Sequence, residues 1–426
     1  MSSPEKGPQW PSDLPAAEFS LRLLEDFPTP LVVYDRAVLR QRAAELRHVL
    51  PEGSTLLYSL KANPLPPVVA ALQGAGCGCE VSSAGELVAA LATGVSPGPV
   101  LYTGPGKSAS ELAAAADAGA IISCESAAEV ARARNALGSG PLRVVLRLQA
   151  VGSAASGLSM GDERQFGFLE EEAVELCRRD RDIIEVLGFH CYLGSQFPTP
   201  DALLTAFGHA RDVIERVGSS CGIQPRIVDL GGGFPWPYAR PGEGADLTPA
   251  AAGLHDLVAP MRAQGADIWF ESGRGLVASA GRLLTTVMDV KERGGKTLVV
   301  VDAGINVLGG MSGLGRILRP STVLRNLSAP DGQERSVDVV GPLCTPLDRL
   351  SVNTAIAAPH VGDVLCVDNV GAYATTAALT AFLSRPTAVE LITDGGEVVE
   401  AWALSSGHQP VAVNASARLQ AAVTGR

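Results

Sequence analysis

Residues 36–278 alternate between short apolar runs and longer amphipathic segments. The short runs are typical of buried strands and lie near 55–60, 79–82, 100–103, 121–124, 143–149, 186–193, 226–230 and 267–271. The segments between them repeat apolar residues at helical spacing, at 66–74, 84–92, 109–118, 126–137, 170–179, 201–217 and 248–263. Residues that favour helix starts and ends flank several of these segments: Ser83, Ser108, Asp201, Gly76, Gly94 and Gly119.

Eight strands that alternate with helices predict an α/β fold, a closed (β/α)8 barrel of the TIM type. An open, doubly wound sheet would produce the same alternation, so the pattern alone leaves it as the competing architecture. The helix at 36–49, which Asp35 can cap, precedes the first barrel strand.

Beyond about residue 278 the pattern changes to apolar alternating runs with turns between them. These runs lie at 281–290, 297–302, 336–343, 363–369, 387–393 and 397–403. They predict a C-terminal β-sandwich or β-barrel domain, antiparallel and with little helix. The isolated run 30–34 has no place in an eight-strand barrel, so we expect it to join this domain. The predicted divisions are a loose tail at 1–15, a barrel at 36–278, and a β-rich domain formed by 16–35 and 279–426.

Composition narrows the class of protein. The net charge is −11, without a basic cluster, which disfavours nucleic acid and anionic membranes as partners. The eight cysteines are scattered, as expected for reduced thiols in a cytoplasmic protein, and Cys77 and Cys79 lack a second pair for a zinc site. The polar start predicts no signal peptide, and no apolar run reaches the ~18 residues of a membrane span.

Polar residues follow several of the predicted strands, at the end where (β/α)8 barrels carry their chemistry. These residues are Lys61, Glu80, Arg147, His190, Gly231, Gly232, Gly233, Glu271 and Arg274. Taken singly, each has an ordinary interpretation as a solvated lysine, a packed histidine, a tight turn or an ion pair. Together they offer an imine-forming amine, an aromatic ring, an anion-binding turn and a carboxylate–guanidinium pair, without a visible hydrolytic triad or metal cluster.

From about Pro28 to Leu383 the sequence resembles the alanine-racemase-fold (fold type III) pyridoxal-phosphate decarboxylases, which act on diaminopimelate, ornithine and arginine. The shared motifs are YSLKAN at 58–63, EVSSAGEL at 80–87, GFHCYLGSQ at 188–196, DLGGGFP at 229–235, ESGR at 271–274, VDAG at 301–304, GPLCTPLD at 341–348 and GAY at 371–373. Their order and spacing are those of the family.

The resemblance implies a role for each matched residue. Lys61 would hold pyridoxal 5'-phosphate as an imine (a Schiff base), His190 would stack on its ring, and Glu271 would face the ring nitrogen. Glu80 and Arg147 match positions near the ring. The residues that would hold the phosphate are Ser195, Gly231, Gly232, Gly233, Gly273, Arg274 and Tyr373.

The resemblance also implies a head-to-tail homodimer in which Cys344 reaches the active site of the partner subunit. There it would protonate the carbanion that forms when carbon dioxide departs. After this cysteine the family places an acidic residue, whereas this chain has Thr345, which cannot offset the desolvation of a distal ammonium group. Asp302, Asp348 and Tyr373 remain candidate substrate contacts, and Arg316 and Arg319 could meet a substrate carboxylate or carrier phosphate.

Cys191, Tyr192 and Leu193 lie between His190 and Gly194, and they make the histidine-to-glycine spacing two residues longer than is usual in the family. With the CTPLD and ESGR motifs, this spacing resembles the glutamyl-carrier-protein decarboxylase branch of butirosin-type biosynthesis. A carrier-linked amino acid without a distal ammonium is therefore the predicted substrate. The alternatives are a decarboxylase of a free diamino acid, an amino-acid racemase of the same fold, a non-catalytic cofactor carrier, and a phosphate- or sugar-handling barrel enzyme that uses no pyridoxal phosphate.

Overall fold

The computed structural model describes residues 16–95, 98–138, 142–150, 158–159, 165–311, 322–405 and 407–408. The helices are α1 (Ala16–Leu23), α2 (Arg36–Val49), α3 (Pro66–Gly74), α4 (Ala84–Leu91), α5 (Ala109–Asp117), α6 (Ala127–Leu137), α7 (Glu170–Arg179), α8 (Pro200–Cys221), α9 (Ala251–Ala263) and α10 (Arg274–Val277). The strands are β1 (Leu31–Asp35), β2 (Thr55–Ser59), β3 (Gly78–Val81), β4 (Val100–Tyr102), β5 (Ile121–Cys124), β6 (Leu142–Leu148), β7 (Leu158–Ser159), β8 (Ile184–Cys191), β9 (Gly194–Ser195), β10 (Ile227–Asp229), β11 (Asp267–Ser272), β12 (Gly281–Arg293), β13 (Lys296–Val301), β14 (Arg325–Asn326), β15 (Glu334–Val340), β16 (Arg349–Ala357), β17 (Val364–Asp368), β18 (Val389–Asp394) and β19 (Glu397–Ala403).

Eight parallel strands close into a barrel in the order β10-β11-β2-β3-β4-β5-β6-β8. Closure occurs where β11 pairs with β2, for example Glu271 with Leu57, and where β8 pairs with β10. The predicted (β/α)8 fold is confirmed, and the open doubly wound sheet is excluded because this sheet has no edge. All eight predicted strands and the seven helical segments between them lie within a few residues of their predicted positions.

Side-chain caps begin several of the helices at the predicted residues. The Asp35 carboxylate accepts hydrogen bonds from the amides of Ala37 (2.8 Å) and Val38 (3.1 Å) at the start of α2. Ser83 caps α4, and Ser108 forms a reciprocal capping box with Glu111 at the start of α5. These local bonds explain why the boundaries follow from sequence: each cap satisfies amides that the first helical turn leaves unpaired.

An apolar layer fills the lower part of the barrel. It consists of Leu57, Leu101, Val145, Leu187, Ile227 and Trp269 from six of the strands. Because side chains on a strand alternate between its two faces, the residues two positions later point to the same interior, nearer the carboxyl ends. Thr103, Arg147, Asp229 and Glu271 occupy these later positions, so the polar layer lies directly on the apolar one.

Strand β8 departs from this simple alternation. Its register with β6 shifts by one residue, from Val144 opposite Val186 to Val145 opposite Gly188. A Cβ at Gly188 would lie 1.7 Å from the carbonyl oxygen of Ile227, so only glycine permits this close approach of β8 to β10. The extra residue turns His190, instead of Phe189, toward the polar layer.

The second domain is a nine-stranded sheet in which β16, β15, β13, β12, β1, β18 and β19 lie side by side, and β17 pairs with β12 and β14. Strand β1 lies inside this sheet, antiparallel to β12 and parallel to β18. Strands β13 and β15 are also parallel, which corrects the expectation of a wholly antiparallel arrangement. Strand β16 had no counterpart among the predicted runs. The exact division between the domains stays a prediction.

Helix α1 covers one face of this sheet, where Phe19 and Leu23 join a core formed with Leu31, Val33 and Leu284. In the described part of the chain, no helix combines the length and apolar character needed to cross a membrane.

Candidate active site

Lys61 lies in a single 3-10 turn, Leu60–Ala62, directly after barrel strand β2. Its neighbours Leu60 and Ala62 are fully buried, whereas the lysine side chain is 42% exposed and projects into the barrel mouth. The turn is fixed from below by the Tyr58 hydroxyl, which donates to the carbonyl of Asn63 at 2.6 Å. The lysine therefore has a fixed backbone and a side chain open to a ligand.

The Lys61 amine lies among anionic and phenolic groups. Its Nζ is 3.4 Å from Oε2 of Glu80 and 5.2 Å from the centre of the Tyr192 ring. Desolvation by the surrounding protein atoms lowers the pKa of Lys61, but Glu80, Tyr192 and Glu271 raise it by more, so the net shift is upward. Before a ligand arrives, the amine is therefore held as an ammonium.

Glu80 is a buried carboxylate with a fixed orientation. Its Oε1 accepts hydrogen bonds from the hydroxyls of Thr103 and of Ser82, the latter at 3.2 Å. Burial raises the pKa of Glu80, but Lys61 and then Thr103 lower it by more, so the pKa lies below its ordinary value. The ionised Glu80 is thus a stable counter-ion for Lys61.

Two further ion pairs lie near the site, one beside the mouth and one deeper in the protein. Arg147 donates to Oε1 of Glu125 at 3.0 Å, and its guanidinium lies 4.8 Å from the Phe166 ring. Deeper in the protein, Nζ of Lys107 is 2.7 Å from Glu129, and both side chains are only 1% exposed. Neither Lys107 nor Glu129 was singled out in the sequence, because a lysine and a glutamate 22 residues apart carry no local signal.

The floor of the site consists of His190, Asp229 and Glu271, which lie on the neighbouring strands β8, β10 and β11. All three are at most 1% exposed. Nδ1 of His190 is 3.1 Å from the Ser123 hydroxyl, and its Nε2 is 3.3 Å from Oε1 of Glu271. One side-chain nitrogen or oxygen from each of the three residues lies within 4.8 Å of the others.

Burial controls ionisation at this floor. Desolvation, then the positive charges of Arg147 and Lys61, hold the pKa of His190 well below its usual range, so the imidazole is neutral. Burial, then the charge of Asp229, raises the pKa of Glu271 well above its usual range. Burial also raises the pKa of Asp229 to about 7.

Tyr192 is the aromatic ring that faces Lys61, and the sequence analysis did not single it out. It follows His190 by two residues, so it points to the same side but lies closer to the open mouth. Its ring lies 5.9 Å from the guanidinium of Arg147 and packs against the glycines of the 231–233 turn. Burial raises the pKa of Tyr192 to about 12, so the phenol is neutral. The alternation rule applied from His190 would have found it.

The glycine turn after β10 has no room for side chains. A Cβ at Gly231 or at Gly232 would lie 2.5 Å from a backbone oxygen, and one at Gly233 would lie 2.3 Å from the Phe197 ring. The amide of Gly231 donates to Asp229 at 2.8 Å. Within the described residues, the amides of Gly232 and Gly233 have no acceptor, so they are available to an anion.

Arg274 supplies a positive charge next to this turn. Its guanidinium lies 5.4 Å from the Tyr238 ring and 5.0 Å from the Tyr373 ring, and it has no carboxylate partner among the described residues. The preceding Gly273 packs on the lysine turn, since its Cβ would lie 3.0 Å from that of Ala62. The guanidinium is therefore available to a ligand anion.

The loop that carries Tyr373 belongs to the β-rich region but is hydrogen-bonded to the lysine turn. The amide of Tyr373 donates to the carbonyl of Ala62 at 2.7 Å, and the Asn63 amide group donates to Gly371 at 3.1 Å. Tyr373 itself has a left-handed backbone conformation (φ 56°). These bonds join the two regions at the position of Lys61.

The remaining predicted residues lie farther from the floor or have other partners. Ser195 lies in the short strand β9, which pairs with β7, and is half-buried. Cys344 is exposed, and Thr345 next to it is half-buried. Arg316 and Arg319 lie outside the described residues.

Two candidate substrate contacts, Asp302 and Asp348, already have protein partners. Both oxygens of the buried Asp348 accept backbone amides, from Ile305 at 2.9 Å and Leu343 at 2.7 Å. Asp302 accepts the hydroxyls of Thr29 and Thr285 at 2.5 and 2.6 Å. In this structure their role is to fix loops of the β-rich domain, and contact with a substrate stays a prediction.

The pocket fits a phosphorylated aromatic aldehyde. It contains an accessible amine, a neutral aromatic ring beside it, and two free amides with a guanidinium for a phosphate. Buried polar atoms that form no hydrogen bond among the described residues line it: Oε2 of Glu80, Nε2 of His190, Oδ2 of Asp229 and Oε1 of Glu271. Such atoms are costly unless a ligand completes their hydrogen bonds.

Comparison with known proteins agrees with this chemistry. Residues 36–278 match the family described as pyridoxal-dependent decarboxylase, pyridoxal binding domain. The L-glutamyl-[BtrI acyl-carrier protein] decarboxylase of Niallia circulans is 30% identical over 397 residues, covering 88% of this chain and 91% of its own. The diaminopimelate decarboxylase of Methanothermobacter thermautotrophicus is 30% identical over 89% of this chain and 90% of its own. The crystal structure of the Helicobacter pylori diaminopimelate decarboxylase with L-lysine superposes with a TM-score of 0.78 at 26% identity, covering 89% of this chain and 95% of that one.

Proposed function

The chain belongs to the pyridoxal-dependent decarboxylase family, and we propose that it removes the α-carboxyl group of an amino-acid substrate without a distal ammonium group, attached to an acyl carrier protein. It is a carboxy-lyase that uses pyridoxal 5'-phosphate. The similarity to an enzyme named for a carrier-protein substrate supports the finer proposal.

The side chains at the mouth divide the work of holding the cofactor. Lys61 would hold the aldehyde covalently through Nζ, and Glu271 would face the ring nitrogen. Tyr192, instead of His190, would support the ring, because Tyr192 is the ring beside Lys61. The cofactor, when bound, supplies the electron sink that a broken C–C bond requires.

The phosphate would be held at the glycine turn that follows β10. Arg274 and the amides of Gly232 and Gly233 are available there, and Tyr373 lies against the guanidinium. Charge-assisted hydrogen bonds from these groups are of the strong kind that anchors phosphate.

Cys344 would supply the proton that replaces the lost carboxyl group at the α-carbon. Among the described cysteines it alone is exposed, and it lies in the loop between β15 and β16. We assign it to the site of a partner subunit in a head-to-tail homodimer, so that each site combines the barrel of one chain with the loop of the other.

The observation that carries the substrate proposal is the lack of a free acid near Cys344 among the described residues. Thr345 offers only a hydroxyl, and both oxygens of Asp348 already accept backbone amides. A distal ammonium group would remain without a counter-ion there, at a cost of about 1 kcal/mol where water has access. A substrate whose side chain ends in an amide or a thioester carries no such cost.

A panel of substrates tests the proposal. Carbon dioxide release and product mass are measured with glutamate loaded on a carrier protein, with free glutamate, and with free ornithine, lysine, arginine and diaminopimelate. Turnover of the loaded substrate alone is expected. Rapid turnover of a free diamino acid would replace the proposal by the second candidate, a diaminopimelate-type decarboxylase, which the similarity to such enzymes favours. Retention of the carboxyl carbon would instead indicate a racemase.

A further inference from the structure

Five of the acidic side chains at the described floor and mouth of the barrel are Glu80, Glu125, Glu129, Asp229 and Glu271. Three of the acids have a cation each: Glu80 has Lys61 at 3.4 Å, Glu129 has Lys107 at 2.7 Å, and Glu125 has Arg147 at 3.0 Å. Asp229 and Glu271 are the remaining two acids, and neither forms a salt bridge with a lysine or an arginine in the described structure.

Asp229 and Glu271 are also neighbours in a site closed to water. They are 0% and 1% exposed, and they lie on the adjacent parallel strands β10 and β11. Oδ1 of Asp229 accepts the amide of Gly231, whereas its Oδ2 and the Oε1 of Glu271 accept no hydrogen bond among the described residues, although Nε2 of His190 lies 3.3 Å from that Oε1. One oxygen of Asp229 and one of Glu271 lie within 4.8 Å of each other, and two buried carboxyl groups this close are the arrangement in which one of them keeps a proton.

Physical chemistry disfavours two ionised carboxylates here. Like charges a few ångströms apart repel strongly when water is excluded, so one of the two acids keeps its proton at a pH where both would normally have lost it. Glu80 on β3 adds a further negative charge and Arg147 on β6 a compensating positive one, already engaged by Glu125.

The neighbouring imidazole does not take this proton. Nδ1 of His190 faces the Ser123 hydroxyl, and the carbonyl of Ser123 accepts a hydrogen bond from the Lys107 ammonium at 2.8 Å. A positive charge therefore lies behind the imidazole, and Lys61 and Arg147 lie in front of it. The pKa of His190, which burial and these charges lower, agrees with a neutral ring.

We propose that Asp229 and Glu271 share one proton in the cofactor-free enzyme, and that Asp229 is a positioning residue that keeps the Glu271 carboxyl protonated. Glu271, the acid that would face the ring nitrogen of the cofactor, would thus already carry a proton when the cofactor binds. The inference rests on the proposed function only in assigning this floor to the cofactor ring, and it holds whichever amino acid is the substrate.

Infrared spectroscopy of the cofactor-free chain tests the proposal without an activity measurement. The stretching band of a protonated carboxyl shifts in heavy water and can be followed against pH in variant-minus-wild-type difference spectra. The variants are Asp229→Asn, which keeps an acceptor for the Gly231 amide, and Glu271→Gln. Asp394→Asn is the control, because Asp394 lies in the β-rich domain and its ion pair with Arg40 at 2.6 Å lowers its pKa, so it holds no proton near neutral pH.

We expect a protonated-carboxyl band that persists to near neutral pH and is unchanged in Asp394→Asn. In each single variant the remaining acid should lose its proton about one pH unit or more lower, because the second charge has gone. Circular dichroism shows whether each variant folds, and one folded variant is enough for the test. The proposal is overturned if the wild type has no such band, or if removing one acid leaves the midpoint of the other unchanged. Turnover of the carrier-linked substrate is measured separately, so that the two proposals fail independently.

Discussion

The floor of the barrel mouth and the loop that carries Cys344 are two different kinds of protein surface. His190, Asp229 and Glu271 lie on adjacent strands whose backbone hydrogen bonds fix them, and they are almost completely buried. The loop between β15 and β16 is exposed, with Leu347 at 76%. Charges interact strongly at the floor because water is excluded, whereas water screens them at the loop.

The difference indicates a division of function. Chemistry common to every substrate needs fixed, desolvated groups, and these lie on the barrel strands. Choice of substrate is made at a loop, where sequence change costs little stability. Changes at the floor should therefore affect all substrates equally, whereas changes at the loop should alter the ratio between substrates.

Lys61→Ala should have the largest effect, because it removes the nucleophile on which every substrate depends. We expect decarboxylation to fall by on the order of 10³-fold or more for all substrates. Borohydride treatment followed by mass spectrometry should detect covalently bound cofactor in the wild type and none in the variant.

Lys291→Ala is the matched control, because the half-buried Lys291 lies on β12, outside the site, and pairs with Asp289 of the same strand at 2.8 Å. It should retain both activity and the covalent cofactor. Cofactor trapped on Lys61→Ala in wild-type amount would contradict the assignment of this lysine.

Asp229→Asn should stabilise the cofactor-free chain at alkaline pH. The pKa of Asp229 is raised to about 7 by burial, so the folded state binds more protons than the unfolded state, and the free energy of unfolding falls as pH rises toward that value. Asparagine carries no charge, so the variant should gain on the order of 2–3 kcal/mol at pH 8 relative to pH 5. Urea unfolding at the two pH values measures this gain.

The exposed Asp246 provides the comparison for this measurement. Asp246→Asn should show no such gain at pH 8, because the hydrogen bonds that Asp246 accepts from Thr248 lower its pKa. Equal pH dependence in the wild type and Asp229→Asn would mean that the floor carries no buried proton.

Most of the barrel could be predicted from sequence because its signals are local. Strand and helix periods, and caps such as Asp35 and Ser108, depend only on nearby residues. The two parallel pairs of the second sheet could not be predicted, since strand direction depends on partners far apart in the chain. Strand β16 was missed because its exposed and buried residues alternate irregularly around Asn353, whose backbone is left-handed.

The sequence predicted which types of residue lie at the barrel mouth. It did not predict how deep each side chain lies in the pocket. Lys61, Glu271 and Arg274 lie together as expected from the ends of barrel strands. The relative depth of His190 and Tyr192 depends on the register shift between β6 and β8, which requires the close approach of Gly188 to Ile227. No local sequence signal reports that contact.

Tyr192→Ala should weaken cofactor binding by about 10-fold, because it removes the aromatic surface next to Lys61. Tyr192→Phe keeps that surface and should remain within about 2-fold of the wild type, since the phenol is neutral. Fluorescence titration of the cofactor-free variants with pyridoxal phosphate measures both. If His190→Ala weakens cofactor binding while Tyr192→Ala does not, His190 is the residue that supports the cofactor ring.

Thr345→Glu should have the smallest effect and the most selective one. A carboxylate at this half-buried position can pair with a distal ammonium group, which is worth at most about 1 kcal/mol where water has access, or about 5-fold. We expect the ratio of kcat/KM for free lysine or diaminopimelate to that for the carrier-linked substrate to rise by this factor. Thr354→Glu, on β16 of the same domain, is the matched control and should leave the ratio unchanged. An equal loss of kcat/KM with all substrates would mean that the loop, like the floor, serves the chemistry common to every substrate. The proposed division of function between floor and loop would then be wrong.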